Sequence, residues 1–426
     1  MGKFCYEDCE QYFSSTSKSP VEKNAVHTLK ALLLLLGNPQ KEKKIIHVAG
    51  TNGKGSVCAY LSTLLREIDK DVGCFISPHL VDIRERFCVN LQLPSKQICA
   101  EAFADLKAAQ QLMGIELTFF ETAFFLALLI FRQKNVEYIV LETGIGGRQD
   151  TTNILTPILS IITSISLDHT DVLGNSLEEI TKEKMGILKS GVPVVYDASH
   201  TMVDRLIRQE AQEKELLAIP IDTKSTQIQN RTKKSICFIA DQEEFTLPFF
   251  ADYQVINALL ALEATKYLPE RWTLSQKKKA LATTVWKGRM QYIQDGIYLD
   301  GAHNEAATKA CIRQVKILQS QNLGEIRLIF AVAKEKQIEK IVSLLSKELL
   351  PEEVYLPKMG NTRMVEPQHL QELFSQHGVN QVKLFFSVKE AYIHALSQKR
   401  SKDLILILGS LYLVGEMIAL KHEETH

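Results

Sequence analysis

The sequence has no excess of charge of either sign: 50 Lys and Arg stand against 50 Asp and Glu in 426 residues. Bulk attraction to nucleic acid or to an anionic membrane is therefore excluded as the basis of function, although a local basic site is not. Long apolar runs are also missing. The longest, Ala31–Leu36 and Ala123–Phe131, fall well short of the ~20 residues a membrane-spanning helix needs. The opening segment MGKFCYEDCE has no apolar core, so no secretory signal is expected there. The eight cysteines, at positions 5, 9, 58, 74, 88, 99, 237 and 311, contain no CxxC pair. A disulfide scaffold or a zinc site is not expected, and a reducing cytoplasm is the natural home. Internal repeats, low-complexity segments and a GxGxxG dinucleotide fingerprint are absent as well.

What is present is a chain long enough for two or three domains, with 45% hydrophobic residues to build their cores. Ser19-Pro20-Val21-Glu22 reads as a capping box with Pro at the first helical position, followed by a helix that Gly37-Asn38-Pro39 stops. Ile45–Val48 reads as a buried strand, followed by a glycine-rich turn, a helix over about 57–68 and a strand over about 72–76. Helices over about 97–113 and 121–133, strands over 138–141 and 159–165, a helix over 177–189 and a strand over 192–195 continue the alternation. The stretch from about 205 to 250 is polar and less regular, with short β-like pieces such as Ile236–Ala240. A helix over about 254–267 follows, and from about 296 the alternation restarts, with strands at 297–299, 327–332, 382–386 and 404–408. The pattern predicts an α/β protein with mostly parallel sheets. It would divide near 290–296, where Gly288-Arg289 and Asp295-Gly296 break the pattern, into domains over 1–293 and 294–426, the second smaller.

Gly50-Thr51-Asn52-Gly53-Lys54-Gly55-Ser56 lies between a strand and a helix. There the glycines let backbone N–H groups converge on a phosphate, the helix adds its positive end, and Lys54 reaches a terminal phosphate. The segment departs from the common G-x4-G-K-[ST] form. Only two residues separate the first glycines, and Gly55 stands where a hydroxyl would meet Mg2+. Ser56, or Ser77 at the end of the next strand, would supply that oxygen instead.

Glu142 ends a predicted strand ahead of Thr143-Gly144-Ile145-Gly146-Gly147-Arg148, at the sheet edge where open α/β proteins bind ligands. It is a candidate Mg2+ ligand; a salt bridge to Arg148 is the alternative. Asp168-His169 follows the strand 159–165 at the same predicted edge, as a ligand pair or as an ordinary hydrogen-bonded loop. Lys184 falls on one helical stripe with Leu177, Ile180, Ile187 and Leu188. It either snorkels to water or, if buried, offers a neutral amine for chemistry. Asp300-Gly301-Ala302-His303-Asn304 again puts a carboxylate and an imidazole after a strand, or is a loop and a helix cap.

Taken in order, these motifs resemble the folylpolyglutamate synthase and dihydrofolate synthase family of the Mur ligase superfamily. The matching pieces are HVAGTNGKGS (47–56), SPHL with RER (77–80 and 84–86), TFFE (118–121) and LETGIGGRQDTTN (141–153). They continue with ITSISLDHTDVLG (162–174), EKMGILKSGVPVV (183–195), KGRMQ (287–291), LDGAHN (299–304) and GSLYLVGE (409–416). The resemblance implies an ATP-dependent amide ligase acting on folate and L-glutamate, with an N-terminal phosphate-loop ATPase domain over 1–293 and a smaller Rossmann-like α/β domain over 294–426, between which the ATP contacts are split and which close to exclude water. It implies that Thr51, Asn52, Gly53, Lys54, Gly55 and Ser56 hold the triphosphate, and that Asn257, Arg289, Asp300 and His303 contact the nucleotide. Ser77, Glu142 and His169 would bind Mg2+, and Lys184 would be carboxylated, with Lys54, Lys184 and His169 at the catalytic centre. Thr118, Phe119, Phe120 and Glu121 would line the pterin pocket, and Ser410 would lie near the incoming glutamate. A cytoplasmic monomer without nucleic-acid or membrane partners is expected. Members that also accept dihydropteroate often carry Gly-Leu-Glu-Arg before the first helix. Here Ser19-Pro20-Val21-Glu22-Lys23 stands instead and leaves that activity open. A peptidoglycan-type Mur ligase and a phosphate-loop ATPase without an amino-acid acceptor are the competing readings; TFFE and LDGAHN favour folate over the first.

Overall fold

The computed structural model describes residues 4–16, 23–224, 226–320 and 324–423. The expected capping box at Ser19–Glu22 lies outside the described residues; the helix after it is seen over Val26–Leu35. By its internal contacts the chain parts into two units. The first comprises Met1–Ile165, Asn175–Thr223 and Ile256–Thr284, and the second Ser166–Gly174, Lys224–Val255 and Val285–His426.

Unit 1 is built on seven strands: β1 (Lys44–Ala49), β2 (Val72–Phe75), β3 (Phe87–Val89), β4 (Tyr138–Glu142), β5 (Leu159–Ile162), β6 (Val194–Asp197) and β7 (Ala218–Ile221). Their order is β3-β2-β4-β1-β5-β6-β7. Every neighbouring pair is parallel except β2 and β3. Parallel strands covered on both faces need no polar side, which is why β2, β4, β5 and β6 are buried throughout. The covering helices are apolar on more than one side. In Phe119–Gln133 every residue from Glu121 to Phe131 is buried, and in Lys54–Glu67 every residue from Ser56 to Leu65. The chain leaves β1 toward β2 on one side and later places β5 on the other side. This is the switch of direction that opens a crevice at the carboxyl ends of the strands.

Two element ends differ from expectation for a visible reason. The helix beginning at Leu177 stops at Met185, not near 189. A Cβ on Gly186 would lie 2.3 Å from Arg148 Cα, and Arg148 N–H donates to Glu183 O at 2.8 Å, so a second segment takes over the last turn. β5 stops at Ile162 rather than 165 because Thr163 and Ser164 turn to bond the loop after β1. The polar stretch after 205 is also more regular than expected. Thr201–Glu213 is a helix that buries Val203, Leu206, Ile207 and Ala211 along one stripe, beneath a surface of charged residues.

Unit 2 holds a three-stranded antiparallel sheet, β8 (Gln227–Arg231), β9 (Ile236–Ala240) and β10 (Glu243–Leu247). It also holds a six-stranded sheet of β11 (Gln291–Gln294), β12 (Ile297–Asp300), β13 (Ile326–Phe330), β14 (Glu353–Pro357), β15 (Val382–Phe385) and β16 (Leu404–Leu408). The order is β11-β12-β16-β13-β14-β15, parallel but for β11 against β12. The carboxyl ends of β12, β16 and β13 are thus neighbours, and they lead into Gly301–Asn304, Gly409–Ser410 and Ala331–Lys336. No helix among the described residues is long and apolar enough to cross a membrane.

Candidate active site

In unit 1 the loop after β1 has its shape imposed from outside. Gly50 has φ +151°, and a Cβ there would lie 1.8 Å from Thr163 Oγ1. Gly53 has φ +92°, and its Cβ would lie 2.3 Å from Asn257 Oδ1, so only glycine serves at either place. Ser164 O accepts from Thr51 N–H at 2.8 Å, and Thr163 Oγ1 donates to Asn52 O at 2.7 Å. Lys54 opens the helix Lys54–Glu67, and its Nζ curls back to Gly50 O and Thr51 O, both at 3.1 Å. The same Nζ lies 3.9 Å from Glu142 Oε1.

Glu142, at the end of β4 beside β1, is buried and accepts from Ser77 N–H at 3.1 Å. The expected alternative partner of Glu142, Arg148, pairs instead with Glu183 at 3.4 Å. Lys184 is 4% exposed, so it does not snorkel; its Nζ donates to Gly50 O at 2.7 Å. Lys54, Ser77, Glu142 and Lys184 therefore gather around one loop, although the sequence separates them widely.

Behind the loop lies a buried relay that sequence reading missed. Asp150 accepts from the N–H groups of Gly144, Ile145 and Thr152 at 2.9, 3.0 and 3.0 Å, and from the Thr152 hydroxyl at 2.5 Å. Thr152 has then given away its proton, so its oxygen accepts from His47 Nε2–H at 2.8 Å. His47 Nδ1 is left buried with no hydrogen-bond partner. Burial, with Lys189 adding to it, pushes the His47 imidazole down to about 3. An unfolded histidine titrates near 6.5, so acidification protonates the unfolded chain first. The stability His47 contributes is complete above pH ~6.5 and is lost as pH falls toward the folded value, by roughly 2–3 kcal/mol at pH ~4.5. His47→Gln keeps an N–H donor but cannot titrate. Its urea midpoint is expected to fall less steeply between pH 7 and 4.5 than that of the wild type. Identical slopes would remove His47 from the acid response.

Thr118 and Glu121 form a capping box at the start of Phe119–Gln133. The Glu121 carboxylate is fully buried and also accepts from Asn24 N–H and Asn24 Nδ2, both at 2.9 Å. Its oxygens are therefore engaged in holding the turn. Phe119 lies under the Arg86 guanidinium at 4.9 Å, and Phe120 meets Phe75 edge-on at 5.5 Å. Arg86 Nε donates to His79 Nδ1 at 2.8 Å. Burial, reinforced by that guanidinium, pushes His79 down to about 4.

In unit 2, buried Asp300 ends β12 and accepts from Tyr253 OH and Met290 N–H on Oδ2 at 2.7 and 2.8 Å, and from Ala302 N–H on Oδ1 at 2.8 Å. Burial raises its carboxyl above the usual range, against the pull of Arg289. Ser410, after β16, is buried and caps the following helix by accepting from Leu413 N–H at 3.1 Å. His303 donates from Nδ1 to Gly301 O at 2.7 Å and turns Nε2 toward Asp168 Oδ2 at 3.9 Å. Burial and then Lys336 push it down to about 4.

Asp168 is the hub of this edge. It takes Lys336 Nζ on Oδ1 at 2.8 Å and Asn304 Nδ2 on Oδ2 at 2.9 Å. Burial acts to raise its carboxyl, but Lys336, His169 and His303 together hold it well below the usual range. His169 stands at φ +49° with its N–H on Asp168 Oδ1 at 2.9 Å, and Lys336 Nζ lies 3.3 Å from His169 Nε2. Sequence reading found His169 and His303, met Asn304 only within a loop and helix cap, which it is, and missed Lys336 and Tyr253.

A parallel sheet whose first strand runs into a glycine–lysine loop, joined in one chain to a second α/β sheet, is the build of a Mur-type ligase. The family models agree: "Mur ligase middle domain" matches residues 48–265 and "Mur ligase, glutamate ligase domain" residues 288–411. A dihydrofolate synthase/folylpolyglutamate synthase of Buchnera aphidicola (Schizaphis graminum) is 30% identical over 98% of this chain and 97% of its own. E. coli FolC in complex with DHPP and ADP superposes with a TM-score of 0.87 at 26% identity, covering 99% of each chain. The bifunctional folylpolyglutamate synthase/dihydrofolate synthase of Yersinia pestis, complexed with AMPPNP and Mn ion, gives 0.84 at 26% identity, covering 98% of each. The chain belongs to the folylpolyglutamate synthase/dihydrofolate synthase family and is an ATP-dependent ligase.

Proposed function

We propose that this chain uses ATP to join the amine of L-glutamate to the terminal glutamate carboxylate of a reduced folate. The observation that carries the reading is the gathering of Lys54, Ser77, Glu142 and Lys184 around the loop after β1. A carboxylate does not react with an amine unaided, because its oxygen is a poor leaving group. Transfer of the γ-phosphoryl group of ATP to that carboxylate makes an acyl phosphate. The glutamate amine then attacks the carbonyl carbon, and the tetrahedral species expels phosphate. What the protein must supply is position and positive charge around the transferring group.

Thr51, Asn52, Gly53, Lys54, Gly55 and Ser56 would hold the triphosphate at the helix N-terminus. Asn257, Arg289, Asp300 and His303 would bind the rest of the nucleotide. Asp300 already accepts three protein hydrogen bonds, and a carboxylate has about four such sites, which leaves room for one ribose hydroxyl. Phe119 and Phe120 would present ring faces to the pterin, with Thr118 and Glu121 fixing the turn that carries them. Ser410 would stand near the incoming glutamate.

Mg2+ takes oxygen ligands and keeps phosphate and water around it. The carboxylate of Glu142 beside Ser77 fits that preference; His169, which belongs to unit 2, would be a nitrogen ligand. Among the described residues no three His, Cys, Asp or Glu side chains are placed so that they could hold a metal ion by themselves. When bound, the ion offsets negative charge on the phosphoryl oxygens. Lys184 would carry CO2 as a carbamate. The enzyme would act as a cytoplasmic monomer, with no nucleic-acid or membrane partner.

Phosphate release from ATP tests the reading, measured with L-glutamate plus either tetrahydrofolate or dihydropteroate. Release is expected to require glutamate and tetrahydrofolate together. Equal release without them would leave only an ATPase, and release with dihydropteroate would add dihydrofolate synthase activity.

A further inference from the structure

The Lys336 ammonium is a hydrogen-bond donor to two neighbours at once. Its side chain is 8% exposed, and its Nζ lies 2.8 Å from Asp168 Oδ1 and 3.3 Å from His169 Nε2. Asp168 is itself fixed, because Asn304 Nδ2 holds its other oxygen at 2.9 Å while Asn304 Oδ1 caps the helix Glu305–Gln319. His169 is fixed too, in a left-handed backbone conformation that few histidines adopt, with its N–H tied to the same carboxylate. A neutral imidazole has one nitrogen lone pair, and a donor that takes it leaves nothing for a cation. Lys336 is aimed at that lone pair from a buried, charge-paired position. Its own charge also repels any second cation arriving there.

We infer that Lys336 is a latch on His169: it occupies the imidazole lone pair and must yield it before a divalent ion can bind there. This rests on the reading of His169 as a metal ligand. A latch of this kind discriminates between forms of the metal. A bare divalent ion meets a positive group and an engaged nitrogen. An ion that arrives on nucleotide phosphates brings enough negative charge to draw the ammonium aside while Asp168 keeps it close. The device thus selects the metal–nucleotide complex over the free ion. Lys336 is assigned no role by the sequence analysis.

Mn2+ binding, followed by its electron paramagnetic resonance signal with and without AMPPNP, tests the latch without turnover. Lys336→Met is expected to bind free Mn2+ about tenfold more tightly than the wild type, by removal of a nearby like charge and of the competing donor. Affinity for Mn2+ in the presence of AMPPNP should change much less. Lys336→Met also strips Asp168 of its cation, and a freed carboxylate could attract Mn2+ by itself. The pair Asp168→Asn and Asp168→Asn/Lys336→Met separates the two effects, because both lack that carboxylate charge. The double variant should bind free Mn2+ more tightly than Asp168→Asn alone, and equality between them overturns the latch. Lys336→Arg, which keeps charge and donors, should stay near the wild type and serves if Lys336→Met does not fold; tight free-ion binding by it would also overturn the latch. His169→Ala checks the underlying reading. If it leaves Mn2+ affinity intact with and without AMPPNP, the metal assignment fails and the latch with it. If it weakens binding while Lys336→Met changes nothing, only the latch fails.

Discussion

Lys54→Ala is expected to lower the rate of folate- and glutamate-dependent phosphate release by ~10²–10³ while the protein stays folded. In the structure Lys54 Nζ bonds the Gly50 and Thr51 carbonyls at 3.1 Å and stands 3.9 Å from Glu142 Oε1. Those carbonyls belong to a loop that is also held by Ser164, Thr163 and Asn257, so losing the lysine costs the fold little. The reaction loses more, because the ammonium is the loop's only side-chain charge and would meet negative charge that develops only as the phosphoryl group moves. A single-turnover measurement at saturating ATP and Mg2+, with thermal melting as the folding control, separates the two effects. Near wild-type turnover would take Lys54 out of the chemistry.

Lys184→Ala is expected to abolish most turnover, and added short-chain carboxylic acids should restore part of it. Lys184 is buried on the helix Leu177–Met185 and donates to Gly50 O at 2.7 Å. A purely structural amine would serve by donating, as it does to that carbonyl. Formate or acetate would then bring no rescue, since an anion cannot donate to a carbonyl. Under the carbamate reading the amine adds CO2, a C–N bond forms, one proton leaves, and a carboxylate now stands where the ammonium would have been. Burial works toward the neutral amine that the addition needs, and a cation nearby holds the product. The two readings therefore differ in sign. Labelled bicarbonate gives a readout apart from activity: a carbamate carbon resonance present in the wild type and absent in Lys184→Ala supports the modification. A spectrum with no such signal in Mg2+ and nucleotide would rule it out.

The strand–loop–helix around Lys54 was legible because three local signals agree: an apolar strand, glycines at the turn and a helix that follows at once. Glu142 was legible for the same reason, as a charge at the end of an apolar strand. Lys184 was visible as an oddity on an apolar stripe, but burial, which decides between snorkelling and chemistry, depends on a distant segment, the loop after β1 whose Gly50 carbonyl meets its amine. Helix Thr201–Glu213 was not visible, because its narrow apolar stripe is outnumbered by Asp204, Arg205, Arg208, Glu210 and Glu213. The early ends of β5 and of the helix at Met185 were hidden as well. Each is set by a distant segment that takes over its backbone bonds, and propensity does not report on distant segments. Lys336 is the extreme case. Its partners, Asp168 and His169, come from Ser166–Gly174, and only the fold brings them to it.

The cramped space around Gly50 and Gly53 bears on how the glycine–lysine segment, proposed above to hold the triphosphate, can be moved or trimmed. Its two walls are Thr163 and Asn257, both contributed well after the motif. A fragment that stops short of Asn257 would carry every residue of the glycine–lysine segment and yet lack the mould that shapes it. The segment is thus not a portable cassette. Grafted into another scaffold it would be a floppy glycine tether, and a library that randomises position 163 or 257 would alter nucleotide binding as surely as one that randomises the motif itself.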